Sequence, residues 1–188
     1  MFLMCPTDLL QVLLRKVICK GDLVIDATAG NGHDTVFLAE AVGEEGKVIA
    51  IDIQAEAIAA TRRRLHESQL ENRVDLHLTS HTEIEQLAAE GSAAVIVFNL
   101  GYLPGTNREL ITKAETTLQA LAASILVLKK GGVLAVVCYP DHPGGDDEAA
   151  QVLVFLQGLK NFRLAKYALL STNRPSPFVL IAWKKSNK

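Results

Sequence analysis

Short apolar runs rich in valine and isoleucine alternate along the chain with longer segments whose apolar residues recur every three or four positions. Runs of the first kind are typical of buried strands, and segments of the second kind are typical of amphipathic helices. The runs predict strands at residues 22–27, 47–53, 73–79, 93–100 and 133–139. The segments predict a first helix that Thr7 or Asp8 caps and that ends at Cys19, followed by helices at residues 33–42, 55–67, 82–89, 109–129 and 148–159.

The last part of the chain follows a different pattern. Residues 162–170 and 178–184 form two strand-like runs with no helical segment between them. Two such runs across a short loop should pair antiparallel, whereas strands separated by helices should pair parallel through right-handed crossovers. We therefore expect an α/β, doubly wound Rossmann-like fold, in which a mostly parallel seven-stranded sheet is closed by a C-terminal antiparallel hairpin.

Composition narrows the class of protein. A length of 188 residues suits one domain, which we expect to span residues 1–188. The composition, with 49% hydrophobic and 21% charged residues, excludes disordered, collagenous and coiled-coil proteins. Polar residues interrupt the apolar stretch 1–18, so we expect no membrane segment or signal peptide. The three cysteines lack metal-ligand spacing, which favours reduced thiols in a cytoplasmic protein and no metal site. A net charge of −2 predicts that any nucleic-acid footprint is small and local.

A glycine-containing loop, Asp-Ala-Thr-Ala-Gly-Asn-Gly-His-Asp-Thr at residues 26–35, stands where a predicted strand hands over to a helix. Glycines let the backbone approach a ligand, and the helix N-terminus offers free N–H groups. Asp52 ends the next strand, where a carboxylate can bind ribose hydroxyls. Thr35 replaces the third glycine that dinucleotide sites favour, and Asp26 would repel a pyrophosphate. An acid suits the sulfonium and ammonium groups of S-adenosyl-L-methionine, which is therefore the predicted cofactor.

Four motifs together resemble class I methyltransferases, and among them the small bacterial "putative rRNA methylase" family. They are the loop 26–35, Phe-Asn-Leu-Gly-Tyr-Leu-Pro-Gly at 98–105, Tyr-Pro-Asp-His-Pro-Gly-Gly at 139–145 and Asn-Arg-Pro-Ser-Pro-Phe at 173–178. The resemblance implies N-methylation of the aminomethyl group of 5-aminomethyl-2-thiouridine at the tRNA wobble position. It also implies contact with the tRNA anticodon region and allows a homodimer. Asp141 departs from the pattern, which has glycine there.

The predicted cofactor-binding residues come from the loop and from the ends of the following strands. They are Asp26, Gly30, Asn31, Gly32, Asp34, Thr35, Asp52, Gln54, His81 and Asn99.

Residues 99–102, Asn-Leu-Gly-Tyr, resemble the Asn/Asp-Pro-Pro-Tyr motif of amino-group methyltransferases. An amide oxygen of Asn99 can accept a hydrogen bond from the substrate amine, and Tyr102 can pack on a base or on a sulfonium. His142 and Asp141 are candidate proton acceptors, and a polar lid is an equally good interpretation of their loop. The candidate substrate-binding residues are Tyr102, Tyr139, Asn173 and Arg174.

Three other functions stay open at this point. A methyltransferase that acts on an rRNA base, an N-methyltransferase for a small molecule, and a cofactor-binding protein without turnover would all share the loop. A nucleophilic Cys138 for carbon methylation is disfavoured, because the alternation of its strand places the side chain in packing.

Overall fold

The valine- and isoleucine-rich runs form strands, and the segments with helical spacing form helices, as the pattern predicts. The computed structural model describes residues 5–101, 112–141, 143–170 and 176–186. Its strands are β1 Leu23–Asp26, β2 Lys47–Asp52, β3 Val74–Leu78, β4 Ala93–Asn99, β5 Leu128–Cys138, β6 Phe162–Ala168 and β7 Phe178–Lys184. Its α-helices are α1 Pro6–Val17, α2 His33–Val42, α3 Ala55–Ser68, α4 Ile84–Leu87, α5 Ala114–Val127 and α6 Gly145–Gln157, and short 3₁₀ turns lie at Glu71–Arg73 and His81–Glu83.

The strands form one seven-stranded sheet in the order β3-β2-β1-β4-β5-β7-β6. Strands β1 to β5 pair in parallel, and β7 inserts antiparallel between β5 and β6. The predicted fold class is confirmed, including the C-terminal hairpin. Because β1 lies between β2 and β4, the strand order reverses beside β1. In doubly wound sheets a ligand crevice opens at this point, beyond the carboxyl ends of the strands.

Both faces of the sheet are buried, since helices pack on each side. Along β4, Val95 and Val97 face one core and Ile96 and Phe98 the other. Helices α1, α2 and α3 cover the first core, while α4, α5 and α6 cover the second. A buried aliphatic or aromatic side chain stabilises the fold by about 1.5–3 kcal/mol. This two-sided burial makes the sheet a rigid base for the loops at its carboxyl edge.

The predicted helix at 109–129 is wrong at its end. Helix α5 stops at Val127, and β5 begins at once with Leu128, which pairs with Ala93 of β4. Gly131 takes a φ of +78°, and a Cβ on Gly132 would lie 2.9 Å from the Leu128 side chain. The two glycines therefore shape an irregular start to the strand. At the other end, residues 109–111 lie outside the described ranges, and the helix begins at Ala114.

The bounds of helices α1 and α6 also differ from the prediction. Helix α1 begins at Pro6 after Cys5, ahead of the predicted cap, because proline has no N–H to lose at a first helical position. It ends at Val17, so Cys19 is not helical. Helix α6 begins at Gly145, three residues early, and shortens the loop that follows β5. Within the described ranges, no helix combines the length and apolar character needed to cross a membrane.

Candidate active site

The carboxyl ends of β1, β2, β4 and β5 open into a cavity of about 580 Å³. This volume lies in the range of small-molecule sites. Eight predicted site residues line it: Gly30, Asn31, Asp34, Asp52, Gln54, His81, Asn99 and Tyr139. The cavity residues that the sequence did not single out are Ala27, Thr28, Ala29, His33, Ile53, Ser80, Leu100, Gly101, Thr112, Lys113 and Thr116.

The loop after β1 is held in shape from below by α3. Gly32 has a φ of +80°, and a Cβ there would meet the Thr61 backbone at 2.8 Å, so no larger residue fits. The Thr61 hydroxyl donates to the Gly30 carbonyl at 3.1 Å, and Arg64 Nε donates to the Asn31 carbonyl at 2.8 Å. These contacts satisfy two loop carbonyls on the α3 side of the loop.

Asp52 lies at the end of β2 and closes one wall of the cavity. Its carboxylate accepts hydrogen bonds from the backbone N–H of Gly30 and of Gln54, each at 2.9 Å. Ile53 follows with 57% of its side chain exposed, beside the same wall. An acid held by two backbone donors, next to an exposed apolar surface, suits a ribose and the flat base attached to it.

Three of the predicted cofactor contacts lie beneath the loop instead of in the cavity. Asp26 and Thr35 are fully buried, and Gly32 packs against α3. The Thr35 hydroxyl donates to Asp26 at 2.6 Å, and the Thr28 N–H donates at 3.3 Å. None of these three residues lines the cavity, and their contact with the cofactor stays a prediction.

Burial raises the pKa of Asp26 to about 7, and the negative charge of Asp34 acts in the same direction. The hydrogen bonds from Thr35 and Thr28 partly offset this shift in pKa. A cation in the cavity would favour the ionised form of this carboxyl group, because opposite charges stabilise each other at short range.

Asn99 ends β4 and hydrogen-bonds to two residues near the glycine loop. Its backbone N–H donates to the Thr28 hydroxyl at 2.7 Å, and its side-chain Nδ2 donates to Asp34 at 3.1 Å. Gln11 of α1 donates to the other oxygen of Asp34 at 3.0 Å. Burial raises the pKa of the Tyr139 phenol, and the Asn99 side chain partly offsets this shift. Only the amide nitrogen can donate to a carboxylate, so the amide oxygen must point away from Asp34.

His81 lines the cavity and carries a buried polar atom. Its Nε2 has no hydrogen-bond partner among the described residues, and its ring meets Phe98 edge-on at 5.9 Å. Burial lowers the pKa of His81, so the imidazole is neutral near pH 7. A buried nitrogen without a partner costs free energy, and a polar ligand atom would satisfy it. The neighbouring Ser80 caps the 3₁₀ turn that begins at His81. Serine is a preferred cap residue, so the sequence already carries a signal for this turn.

A buried acid that the sequence did not single out bonds to two threonines around the start of α5. Glu148 of α6 is 2% exposed and accepts hydrogen bonds from Thr112 at 2.8 Å and from Thr117 at 2.7 Å. Thr112 in turn bonds through its hydroxyl and its N–H to the backbone of Gly101, both at 2.9 Å. These hydrogen bonds therefore connect α5 and α6 to Gly101 in the cavity wall.

Of the remaining candidates, one is exposed, one is buried and four lie outside the described residues. Tyr102, His142, Asn173 and Arg174 lie outside the described residues. Asp141 is exposed and does not line the cavity. Cys138 is buried, and burial raises the pKa of its thiol to about 12, which agrees with packing and opposes a nucleophilic role.

The donor set fits S-adenosyl-L-methionine. Asp34 and Asp52 line the cavity, where Asp34 matches the positive charge of a sulfonium and an ammonium group and Asp52 suits a ribose. The glycine loop permits close approach of a ligand, and His81 lines the cavity as a neutral imidazole. The doubly wound fold and this cavity define a class I methyltransferase that depends on S-adenosyl-L-methionine.

Comparisons with known proteins agree. The model of the "Putative rRNA methylase" family matches residues 48–183, and the chain belongs to this family. A chloroplastic "tRNA (mnm(5)s(2)U34)-methyltransferase" of Arabidopsis thaliana is 38% identical over 193 residues, 96% of this chain and 70% of the relative.

Two solved structures extend the likeness to three dimensions. A "putative rRNA-methylase" of Clostridium thermocellum is 34% identical with a TM-score of 0.93 and covers 98% of this chain and 100% of its own. A "putative methyltransferase" of Streptococcus mutans, solved in complex with SAH, is 35% identical with a TM-score of 0.87 and covers 97% and 99%. The predicted family and cofactor are confirmed.

Proposed function

We propose that the protein N-methylates the aminomethyl group of a tRNA wobble uridine, converting 5-aminomethyl-2-thiouridine to 5-methylaminomethyl-2-thiouridine. The observation that carries this proposal is the match over 96% of the chain to a relative named as a methyltransferase of that nucleoside. The anticodon region of tRNA is accordingly the proposed partner. The family's description as rRNA methylases makes an rRNA base the second candidate.

The position of Asn99 supports an amine as the acceptor. Since its amide nitrogen donates to Asp34, its oxygen remains to accept a hydrogen bond from a substrate N–H. Such a bond turns the nitrogen lone pair in a fixed direction. Holding the reacting groups in a productive orientation can supply about 7–11 kcal/mol of the barrier reduction.

The other proposed roles follow from where each residue lies relative to the cavity. Asp52 holds the ribose of the cofactor, with Gly30, Asn31 and Gln54 around it, and His81 bonds the base. Asp34 faces the cationic groups, while Asp26 and Thr35 stabilise the loop from beneath. When bound, S-adenosyl-L-methionine supplies a methyl group on a sulfonium, and the electron pair of the broken C–S bond stays on sulfur.

The amine must lose a proton to react. At pH 7 an alkylammonium with an ordinary pKa is neutral so rarely that the cost is roughly 4–5 kcal/mol. We assign Asp141 or His142 as acceptor of that proton and Tyr139 as a substrate contact, with Tyr102, Asn173 and Arg174 as further substrate residues. Of these, Tyr139 borders the cavity, and Asp141 follows two residues later on the exposed side.

The test is mass spectrometry of tRNA nucleosides. Total tRNA from a strain with the gene deleted is incubated with the protein and S-adenosyl-L-methionine, and with the Asn99→Ala variant as a control. We expect 5-aminomethyl-2-thiouridine to decline and its N-methylated product to rise by the same amount with the wild type only.

Other results would point elsewhere. If tRNA stayed unchanged and rRNA became methylated, the substrate would be an rRNA base. Methylation in a metabolite extract without RNA would indicate a small-molecule enzyme. If SAH bound but no product formed in any extract, the chain would be a cofactor-binding protein.

A further inference from the structure

The charges of this protein are strongly segregated along the chain. Glu148 is the last acidic residue, and the 40 residues after it contain seven Lys and Arg and no Asp or Glu. The first 148 residues contain twelve Lys and Arg against twenty-one Asp and Glu. The small overall charge of −2 therefore hides a basic C-terminal part attached to an acidic body.

The fold gathers much of this positive charge on one edge of the sheet. Strand β6 is the outermost strand, and it pairs with β7 alone. Four exposed cations lie on this strand or at its start; we call them the cationic edge, and they are Lys160, Arg163, Lys166 and Lys185. The backbone N–H of Lys185 donates to the Asn161 carbonyl at 2.8 Å, which brings the end of β7 beside the start of β6.

None of these four cations forms an ion pair with a carboxylate in the part of the chain that the structure describes. Lys184 is different, because its ammonium group donates to the carbonyls of Ile125 and Leu128, each at 2.7 Å, and so stabilises the end of α5. Arg174 and Lys188 lie outside the described residues. The cationic edge thus consists of side chains that the fold itself does not use in ion pairs.

The cationic edge runs from the cavity side of the sheet to the opposite side. Seven residues of β6 extend about 20 Å, and β6 lies two strand spacings, about 10 Å, from β5. Lys166 lies near the cavity end, with its ammonium 3.9 Å from the centre of the Phe178 ring. Phe178 opposes Cys138, the residue before Tyr139 in the cavity wall.

The side chains of β6 alternate between the two faces of the sheet. Arg163 opposes Trp183, whose side chain packs on the core beneath α1. Lys166 falls on the other face with Leu164, which packs on the core beneath α6. A polyanion lying along the edge could therefore meet positive charge from both faces.

We propose that the cationic edge binds the sugar–phosphate backbone of the RNA substrate while one nucleotide enters the cavity. This inference rests on the proposed function. Phosphates supply most of the sequence-independent affinity of RNA for a protein, and Lys and Arg bind them by charge. The acidic body repels the polyanion elsewhere, so the edge also sets the direction from which the substrate approaches.

Edge strands also carry lysines simply to prevent pairing with other chains. Charge of either sign serves that purpose, yet no acidic residue occurs after Glu148. An anionic membrane would also attract the charge, but peripheral membrane binding usually adds an amphipathic helix with a large apolar face. β6 is instead a strand with one face on the core, which favours RNA.

The experiment measures binding of fluorescently labelled total tRNA by the wild type and by the Arg163→Gln/Lys166→Gln variant over a series of salt concentrations. The matched control is Arg62→Gln/Arg63→Gln, which removes two exposed cations from α3. SAH affinity by calorimetry reports whether each variant keeps its fold and its cofactor site. The same titrations are repeated with vesicles that contain anionic phospholipid.

We expect the edge variant to bind tRNA about tenfold more weakly, and the slope of log Kd against log salt to fall by about 1 for each cation removed. The α3 control should bind like the wild type, and all three proteins should bind SAH equally.

Equal tRNA affinity and equal salt slope for the edge variant and the wild type would overturn the role of the cationic edge, while leaving the proposed function intact. A wild type that binds SAH but neither binds nor methylates tRNA would overturn both. Binding to anionic vesicles in place of tRNA, with the same loss in the edge variant, would show that the edge faces a membrane surface instead.

Discussion

Asp34 connects an N-terminal helix to the end of a central strand. Gln11 of α1 donates to one of its oxygens and Asn99 to the other, while Asp34 still lines the cavity. The carboxylate therefore does more than favour a helix N-terminus, which is what its place in the sequence indicates. It fixes which end of the Asn99 amide is presented to the cavity.

Replacing Asn99 with alanine tests this at the residue scale. Loss of the amide oxygen should lower kcat by about 10²-fold, a typical cost of misplacing a reacting group, with SAH affinity close to the wild type. Single-turnover methylation of tRNA and calorimetry with SAH separate the two effects. The control is Asn72→Ala, which removes an exposed amide far from the cavity. Normal turnover by the Asn99 variant would refute the amine-orienting role.

Asp52 gives a second residue-scale prediction. Alanine there removes the acceptor that the Gly30 and Gln54 N–H groups share, and it removes the proposed ribose ligand. We expect the Kd for SAH to rise by at least tenfold, which corresponds to about 1.4 kcal/mol. An unchanged Kd by calorimetry would contradict the proposed role of Asp52.

At the scale of elements, helix α3 stabilises the glycine loop. Arg64 reads in the sequence as one of three consecutive arginines on a solvated face, yet its Nε donates to the Asn31 carbonyl. The variant Arg64→Gln should weaken SAH binding about fivefold, because losing one such bond costs about 1 kcal/mol of loop order. The neighbouring Arg63→Gln is the matched control, since Arg63 is exposed. Equal SAH affinities of the two variants would show that the loop holds its shape without α3.

Most elements could be predicted from the sequence, and the exceptions have physical causes. Helix α2 and strand β7 match their predicted bounds, since sharp turn signals or clear β-branched runs delimit them. The α5–β5 boundary was missed, because the stretch after Val127 suits a helix and becomes a strand only through pairing of Leu128 with Ala93. Tertiary pairing overrides local propensity at such a point.

The residues of the candidate site likewise fall into two groups, those that the sequence predicts and those that it does not. Asp52, Asn99 and His81 were predicted because they follow strands, and parallel strands bring their carboxyl ends to one edge. Thr116 and Glu148 were missed, since only the packing of α5 and α6 brings them to the site. The burial of Asp26 beneath the loop could not be predicted, because position along a loop does not reveal depth.

At the scale of the whole molecule, the buried Asp26 links folding to pH. Its pKa is raised from 3.8 to about 7, so between these values the folded protein holds a proton that the unfolded chain has lost. The contribution of Asp26 to the free energy of unfolding is therefore greatest below pH 4, declines as the pH rises, and levels off above pH 7. The full difference is at most about 4 kcal/mol.

Urea unfolding of the wild type and of Asp26→Asn between about pH 5 and pH 8 measures this contribution. Asparagine cannot ionise, so the variant should gain stability relative to the wild type by about 2.6 kcal/mol across that interval. The exposed Asp75→Asn is the control, and its curve should keep the shape of the wild-type curve. Bound SAH should stabilise both folded proteins by mass action and is therefore left out of the titration. Parallel curves for the wild type and Asp26→Asn would mean that the carboxyl group beneath the loop stays ionised, and that Thr35 and Thr28 hold it as a buried anion.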